Sequence, residues 1–413
     1  MATRNSRLSD LFFGYGDKKV SPLKPTDILS CKEETIPVFY DEFWTSGQRK
    51  AVSIHEISYR ACFKPQLPRF FIDLLTCKAD TVYDPFSGRG TTIIEAALRG
   101  RSVIANDANP LSRIMTEPRL HPPQLRAVEE RLSSIPRDGD RATPDLSMFY
   151  DERTEREIVA LRSYLLERRE AGREDPIDRW IAMVATNRLT GHSPGFFSVY
   201  TLPPNQAVSQ QSQVRINKRR NQRPLYRDTH VLILKKTKSL TAGLTRSQVR
   251  NLDRAGTTAI FLTGDARTTP TLPENSVRLT VTSPPFLDIV QYSADNWLRC
   301  WFNGFDARAI GGRITMARTV AEWSAVMGDV FRELYRITAP GGYVAFEVGE
   351  IRKGTVHLEE EVIPLGIAAG FICRAVMINA QAFTKTSHIW GVMNMGHGTN
   401  TNRIAVFQKA CGS

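Results

Sequence analysis

The stretch TVYDPFSGRGTTIIEAALRGRSVIAND, from Thr81 to Asp107, limits the fold more than any other part of the chain. A β-prone run (TVYD) leads straight into a turn with two glycines. A helix-prone run (TTIIEAAL) follows, closed by Gly100, and then a second β-prone run ending in Asp107. Strand, glycine turn, helix and strand in such quick succession make half of a doubly wound α/β sheet. After about residue 258 the pattern returns. TAIFLTGDA reads as a strand ending in an acid and SVRLTVTSPPF as a strand running into a Pro-Pro turn. A capping box of Thr319 with Glu322 opens the helix EWSAVMGDVFRELYRI, and YVAFEVG, GFICRAVMIN and NRIAVFQK read as further strands. Ahead of the first strand, QLPRFFIDLL has the apolar stripe of a helix at Leu67, Phe70, Phe71, Leu74 and Leu75. The expected architecture is α/β, a Rossmann-like sheet with helices on both faces.

The segment 121–257 differs in character. It contains an amphipathic helix with a capping box of Thr154 and Glu157 and a stripe of Ile158, Leu161 and Leu165. The turn-rich stretch TGHSPGFFSVYTLPPNQ comes next, then a basic run. Residues 215–238 hold nine Lys or Arg against one acid, Asp228, within a chain of net charge +12. Such an excess suits a polyanionic partner. Arg215, Lys218, Arg219, Arg220, Arg223 and Arg227 can neutralise phosphates, while the Asn and Gln residues between them can read base edges. The plainer reading is a solvated charge run. The division is an arm at 1–54 (Pro22, Pro25 and Pro37 suggest loose packing over 1–50), a core of 55–120 with 258–413, and an insert at 121–257 that interrupts the core.

Six cysteines (Cys31, Cys62, Cys77, Cys300, Cys373 and Cys411) form no C-x-x-C pair, and the seven histidines show no ligand spacing near them. Neither a zinc site nor a disulfide framework is expected, and free thiols fit a reducing cytoplasm. No apolar run approaches the roughly 20 residues of a membrane span, and the first residues lack a signal-like apolar core.

The chemistry is carried by strand ends. In the turn Asp84-Pro85-Phe86-Ser87-Gly88-Arg89-Gly90-Thr91-Thr92, glycines let the backbone approach a ligand at the carboxyl end of a parallel strand. Neither the G-x-G-x-x-G nor the P-loop spacing is present. An acid ahead of the glycines repels a pyrophosphate but suits the amino group of a cationic cofactor, which points to a sulfonium nucleoside. Asp84, Phe86, Gly88, Gly90, Thr91 and Thr92 are the candidates here. Asp107 can accept both ribose hydroxyls and Asp265 the adenine amine. Single acids at strand ends are common, but three in one core make a set.

Thr282-Ser283-Pro284-Pro285-Phe286 is the most specific signal. Exocyclic amines of cytosine and adenine are poor nucleophiles, because their lone pair is delocalised into the ring. A site must accept both amino hydrogens as the nitrogen pyramidalises. The Ser283 hydroxyl and the Pro284 carbonyl suit that task, Pro285 stiffens the turn, and Phe286 offers a face for an extruded base. Methylation at cytosine C5 requires a cysteine nucleophile after a proline, and none of the six follows one.

DPFSGRGTT, GDA and TSPPF together resemble the motifs of the amino-methylating DNA methyltransferases, over about 55–120 and 258–410. The resemblance implies a site-specific enzyme that takes S-adenosylmethionine and acts on double-stranded DNA. A cognate restriction endonuclease is an allowed partner, and the setting is a prokaryotic or phage-host cytoplasm. The S-P-P-[YF] variant is associated mainly with cytosine N4 and the D-P-P-Y and N-P-P-Y variants with adenine N6. HEISYRACFKPQLPRFF resembles the family's helix ahead of the glycine turn, where Lys64 and Arg69 are candidates for the cofactor's methionine end. S-P-P-F members commonly place the catalytic tetrapeptide ahead of the cofactor turn. This chain runs turn, insert, then TSPPF, which keeps adenine N6 open beside cytosine N4. An RNA amino-methyltransferase and a non-catalytic DNA-binding protein are the other readings.

Overall fold

The computed structural model describes residues 27–31, 34–41, 43, 51–59, 63–201, 207–285, 292–314, 317–351, 356–380 and 401–411. In chain order the elements begin with β1 (Asp27–Cys31), β2 (Glu34–Asp41), α1 (Gln66–Leu75), β3 (Thr81–Asp84), α2 (Thr91–Leu98) and β4 (Ser102–Asn106). Seven helices follow: α3 (Leu111–Thr116), α4 (Leu125–Ser133), α5 (Glu152–Glu170), α6 (Pro176–Arg188), α7 (Gln210–Arg220), α8 (Thr229–Thr241) and α9 (Arg246–Thr258). The second half runs β5 (Ile260–Leu262), β6 (Val277–Thr282), α10 (Tyr292–Phe302), α11 (Ala307–Arg313), α12 (Val320–Ile337) and β7 (Thr338–Val348). A short hairpin of β8 (Glu350–Ile351) and β9 (Val356–His357) precedes α13 (Leu358–Ala368), β10 (Ile372–Ala380) and β11 (Thr401–Gln408).

Nine strands make one sheet in the order β1-β2-β10-β11-β7-β6-β3-β4-β5. Strands β5, β4, β3, β6 and β7 are mutually parallel, β11 runs antiparallel between β7 and β10, and β2 lies parallel to β10. Period-two alternation along the strands divides the apolar residues between two clusters. Val82, Val103, Ala105, Leu279, Val281 and Ala345 face α1, α2 and the helices of 125–258. Tyr83, Ile104, Val344, Phe346 and Phe407 face α12 and α13. The sheet is thus covered on both sides, as parallel strands require.

Three sequence readings change, and the insert gains a place in the packing. Part of the arm is integral: Ile36, Val38 and Phe39 of β2 are buried, and Val38–Asp41 pairs with Val376–Asn379 of β10. The insert that interrupts the core packs onto it. Trp180, Ile181, Ile233, Leu240 and Leu252 join the apolar cluster that also covers the sheet, and α9 packs on α2 as it leads into β5. Helix α5 starts earlier than its expected capping box, because Asp151 caps it by accepting the Arg153 N–H. Thr154 then lies inside the helix and bonds the Arg227 backbone, and Glu157 accepts from Thr229 and Tyr226. Thr319 does cap α12, accepting the Glu322 N–H, but the Glu322 carboxylate takes the Arg318 N–H. No helix of the described residues is long and apolar enough to cross a membrane.

Gly90 sits at φ +74°, and a Cβ there would run into the Thr116 side chain. Gly90→Ala is expected to cost about 1–3 kcal/mol, from left-handed strain plus overpacking. This would be read as a lower urea midpoint at unchanged slope. Adding Thr116→Ala should restore the packing share; no recovery would assign the whole cost to the backbone.

Candidate active site

Strand β3 pairs with β4 on one side and with β6 on the other. The chain therefore reverses its direction across the sheet between β3 and β6, the place where open α/β sheets bind ligands. The glycine turn leaves β3 and the Pro-Pro turn leaves β6, so they meet at this point. Two buried hydrogen bonds lock them together. The Thr282 hydroxyl donates to Asp84 Oδ1 at 2.6 Å, and the Thr92 hydroxyl donates to the Val281 carbonyl at 3.0 Å.

Beside the turns opens a cavity of about 1190 Å³, counting the space that merges with solvent. Phe86, Gly88, Asp107, Asp265, Ser283, Pro284 and Pro285 all line it, so residues expected from four strand ends are brought together. Tyr59, Pro85, Ala266, Trp323 and Met327 are among the other residues of its wall. Asp107 accepts the Gly88 N–H at 2.8 Å and the Asn109 N–H at 2.8 Å, which fixes its carboxylate in the cavity wall. Burial pushes its pKa up to about 6 against those two hydrogen bonds.

The other candidates stand differently. Asp84 is buried and faces Thr282 and the Phe86 N–H rather than the cavity; burial raises its pKa to about 7. Thr91 and Thr92 are buried as well, Thr92 bonding Val281 and Thr91 accepting from Arg89 Nε, so both brace the turn. Gly90 meets Thr116. Asp265 lies beyond β5, which ends at Leu262, and its carboxylate is paired with the Arg267 guanidinium, the main cause of its lowered pKa. Lys64 is exposed and does not line the cavity, and Arg69 pairs with Asp73. Phe286 lies outside the described residues.

Two neighbours of Ser283 escaped the sequence reading. The Ser283 hydroxyl hydrogen-bonds the Glu347 carboxyl, which also accepts Asn402 Nδ2 at 2.6 Å, and burial raises the Glu347 pKa. Trp323 Nε1 donates to the Pro285 carbonyl at 3.0 Å. An acid inside the apolar strand YVAFEVG was the available signal, since a charge there needs a partner.

The basic run is helical at its start. Ser209 caps α7, Gln213 and Ile216 are buried, and Arg215, Lys218 and Arg219 project into solvent one turn apart. Arg220 lies over the Tyr200 ring at 3.9 Å, Arg223 is exposed, and Arg227 donates to the Pro194 carbonyl at 3.2 Å.

The raised pKa values of Asp84 and Asp107 make stability depend on pH. Both carboxyls hold protons more tightly folded than unfolded. Their contribution is full below about pH 4 and is lost as pH rises through about 6 for Asp107 and about 7 for Asp84. Thermal midpoints of Asp84→Asn should therefore fall less steeply between these limits than those of the unaltered chain. Parallel curves would remove Asp84 from the account.

Residues 17–112 match an N6/N4 methyltransferase family model described as DNA methylase. The Type II methyltransferase M.MvaI of Kocuria varians is 31% identical over 97 residues, which span 23% of this chain and 20% of that protein. Among solved structures, a Thermus thermophilus protein proposed to be a DNA modification methylase is 24% identical. That alignment covers 36% of this chain and 52% of that one, with a TM-score of 0.22. A Methanosarcina mazei protein described as a SAM-dependent methyltransferase is 10% identical and covers 83% and 98%, with a TM-score of 0.31. Over the segment that carries the glycine turn, the chain thus matches the DNA methylase family that its motifs resemble.

Proposed function

We propose that the chain is an S-adenosylmethionine-dependent DNA methyltransferase acting on the exocyclic amine of a flipped base, with cytosine N4 favoured. The observation that carries this reading is the meeting of the glycine turn and the Ser283-Pro284-Pro285 turn in one cavity at the reversal of the sheet. The family match over 17–112 supports the same reading.

The cavity wall fits the cofactor. Asp107 has lone pairs left for ribose hydroxyls, and Pro85, Phe86 and Ala266 offer apolar surface for an adenine ring. Asp265 contributes less than its position suggests, because Arg267 already occupies it. Asp84 acts from behind the turn, holding it to β6. Bound here, S-adenosylmethionine supplies the methyl group.

The chain's own residues handle the amine. With its O–H donated in a hydrogen bond to the Glu347 carboxylate, the Ser283 oxygen turns its lone pairs outward to accept one amino hydrogen, and the Pro284 carbonyl accepts the other. Trp323 fixes the next carbonyl, so the acceptors hold their place without reorganising. The exposed Arg215, Lys218, Arg219 and Arg223 bind the backbone of duplex DNA.

Cytosine N4 is favoured by serine in the place of an acid, and adenine N6 remains the alternative because of the order turn, insert, TSPPF. Nucleoside mass spectrometry of DNA from cells expressing the chain is expected to find N4-methylcytosine, absent with Ser283→Ala. N6-methyladenine would transfer the assignment to adenine. Neither mark, from protein that binds the cofactor, would exclude DNA and favour RNA. In the purified enzyme, Ser283→Ala should lower turnover about a hundredfold or more with cofactor affinity unchanged. Activity of the unaltered enzyme should rise with pH as Glu347 ionises, and Glu347→Gln should lose that rise. A rise that survives in Glu347→Gln would remove the carboxylate from the mechanism.

A further inference from the structure

Three cations from separate helices gather next to the segment that leads to Tyr59. Arg188 closes α6, Lys236 lies within α8 and Arg299 within α10. Hydrogen bonds link the two arginines. Arg188 Nη2 donates to Asn187 Oδ1 at 2.7 Å, Asn187 Nδ2 to the Ser58 carbonyl at 3.1 Å, and Arg299 Nη2 to that same carbonyl at 3.2 Å. The Arg188 guanidinium lies 4.0 Å over the Phe196 ring, and its Nε is buried without a hydrogen-bond partner among the described residues. Lys236, mostly buried, reaches only Glu56 Oε2 among the described residues, at 3.5 Å.

Charge balance around Arg188 and Lys236 is poor. Burial first, and then the neighbouring cation, lowers the pKa of Lys236 to about 8; burial is also the main cause that lowers Arg188 to about 10. Among the described residues Glu56 is the one acid that acts on both, and its side chain is more than half exposed. Desolvated like charges with one loosely held counter-ion favour the arrival of a better anion. The Arg188 guanidinium, held flat on Phe196, keeps a desolvated and unpaired Nε–H, a cost that a phosphate oxygen entering beside it would relieve.

Position identifies the anion. Ser58 adjoins Tyr59, whose ring borders Gly88 and lines the cavity on one side and faces Arg299 at 5.8 Å on the other. A base seated in the cavity leaves its sugar-phosphate outside the cavity, and Tyr59 joins the cavity to this cluster. We propose that Arg188 and Lys236, backed by Arg299, form a phosphate site for the DNA strand that delivers the target base, with Glu56 as the counter-ion that the phosphodiester displaces. The inference rests on the DNA-methyltransferase reading and adds a backbone contact that the basic run 215–227 does not supply.

The test is duplex binding by the full chain across a salt series, with cofactor binding as the folding control. Lys236→Gln and Arg188→Gln should each weaken binding about tenfold and lower the slope of log K against log[salt] by about 0.9. Glu56→Gln, at an exposed carboxyl, should tighten binding several-fold because the carboxylate no longer competes with the phosphate. Unchanged affinity and slope in all three, in proteins that bind the cofactor, would overturn the phosphate site and leave the methyltransferase reading intact. Absence of duplex binding by the unaltered chain, with no methyl mark in DNA, would instead remove the function on which the site depends.

Discussion

The hydrogen bond from Thr282 to Asp84 is the interaction on which the site depends. Parallel strands bring their carboxyl ends to one edge of a sheet, but they do not by themselves fix how the loops beyond those ends are disposed. Here the last residue of β3 and the last residue of β6 bond each other in a buried setting. Leaving a carboxyl buried without partners costs several kcal/mol. That penalty ties the two strand ends together and sets the Ser283-Pro284-Pro285 turn against the glycine turn. Thr92, bonded to the Val281 carbonyl, brings the start of α2 into the same lock. The same burial raises the Asp84 pKa.

What was legible in the sequence follows from local rules. TVYD, TTIIEAAL and SVIAN carry their period and punctuation within a few residues, and they form β3, α2 and β4 as expected. The gathering of Phe86, Gly88, Asp107 and Ser283 in one cavity was legible too, because strand ends in a doubly wound sheet share an edge. Side-chain direction was not. Asp84, Thr91 and Thr92 belong to the turn's sequence pattern but point inward, a distinction set for Asp84 and Thr92 by the neighbouring strand β6, some 190 residues on in the chain. β2 was hidden for a similar reason: ETIPVFYD becomes a strand by pairing with β10, near the opposite end of the sequence. Capping obeyed the same limit, since Asp151 and Thr154 both suit a helix start and only the longer-range bond of Thr154 to Arg227 separates them.

Charge in this chain falls into two physical classes. Arg215, Lys218, Arg219 and Arg223 stand in water on α7 and the stretch after it, where their attraction for a polyanion is long-ranged and screened by salt. Arg188, Lys236 and Arg299 are held by neighbouring groups in partly dry surroundings, where a charge is costly unless balanced. Composition counts both classes alike, which is why the basic run dominated the sequence reading while the second group passed unnoticed. In the proposed enzyme the first class brings the duplex near without regard to sequence, and the second fixes a phosphate beside the cavity.

Glu347 belongs to the same argument. A carboxyl on an otherwise apolar strand needs partners, and Asn402 from β11 and Ser283 from the Pro-Pro turn bond to it. Its raised pKa shows that these bonds do not fully offset burial. A structural role alone would be met by an amide or by an apolar residue packed against Val281 and Ala345. An ionisable group adds the capacity to hold the serine proton when charged and to release it when neutral. The Ser283 oxygen is thereby an acceptor whose direction is set by the ionisation of its neighbour. In the proposed transfer this is the property that matters: the amine becomes nucleophilic only as its hydrogens find acceptors already aimed at them.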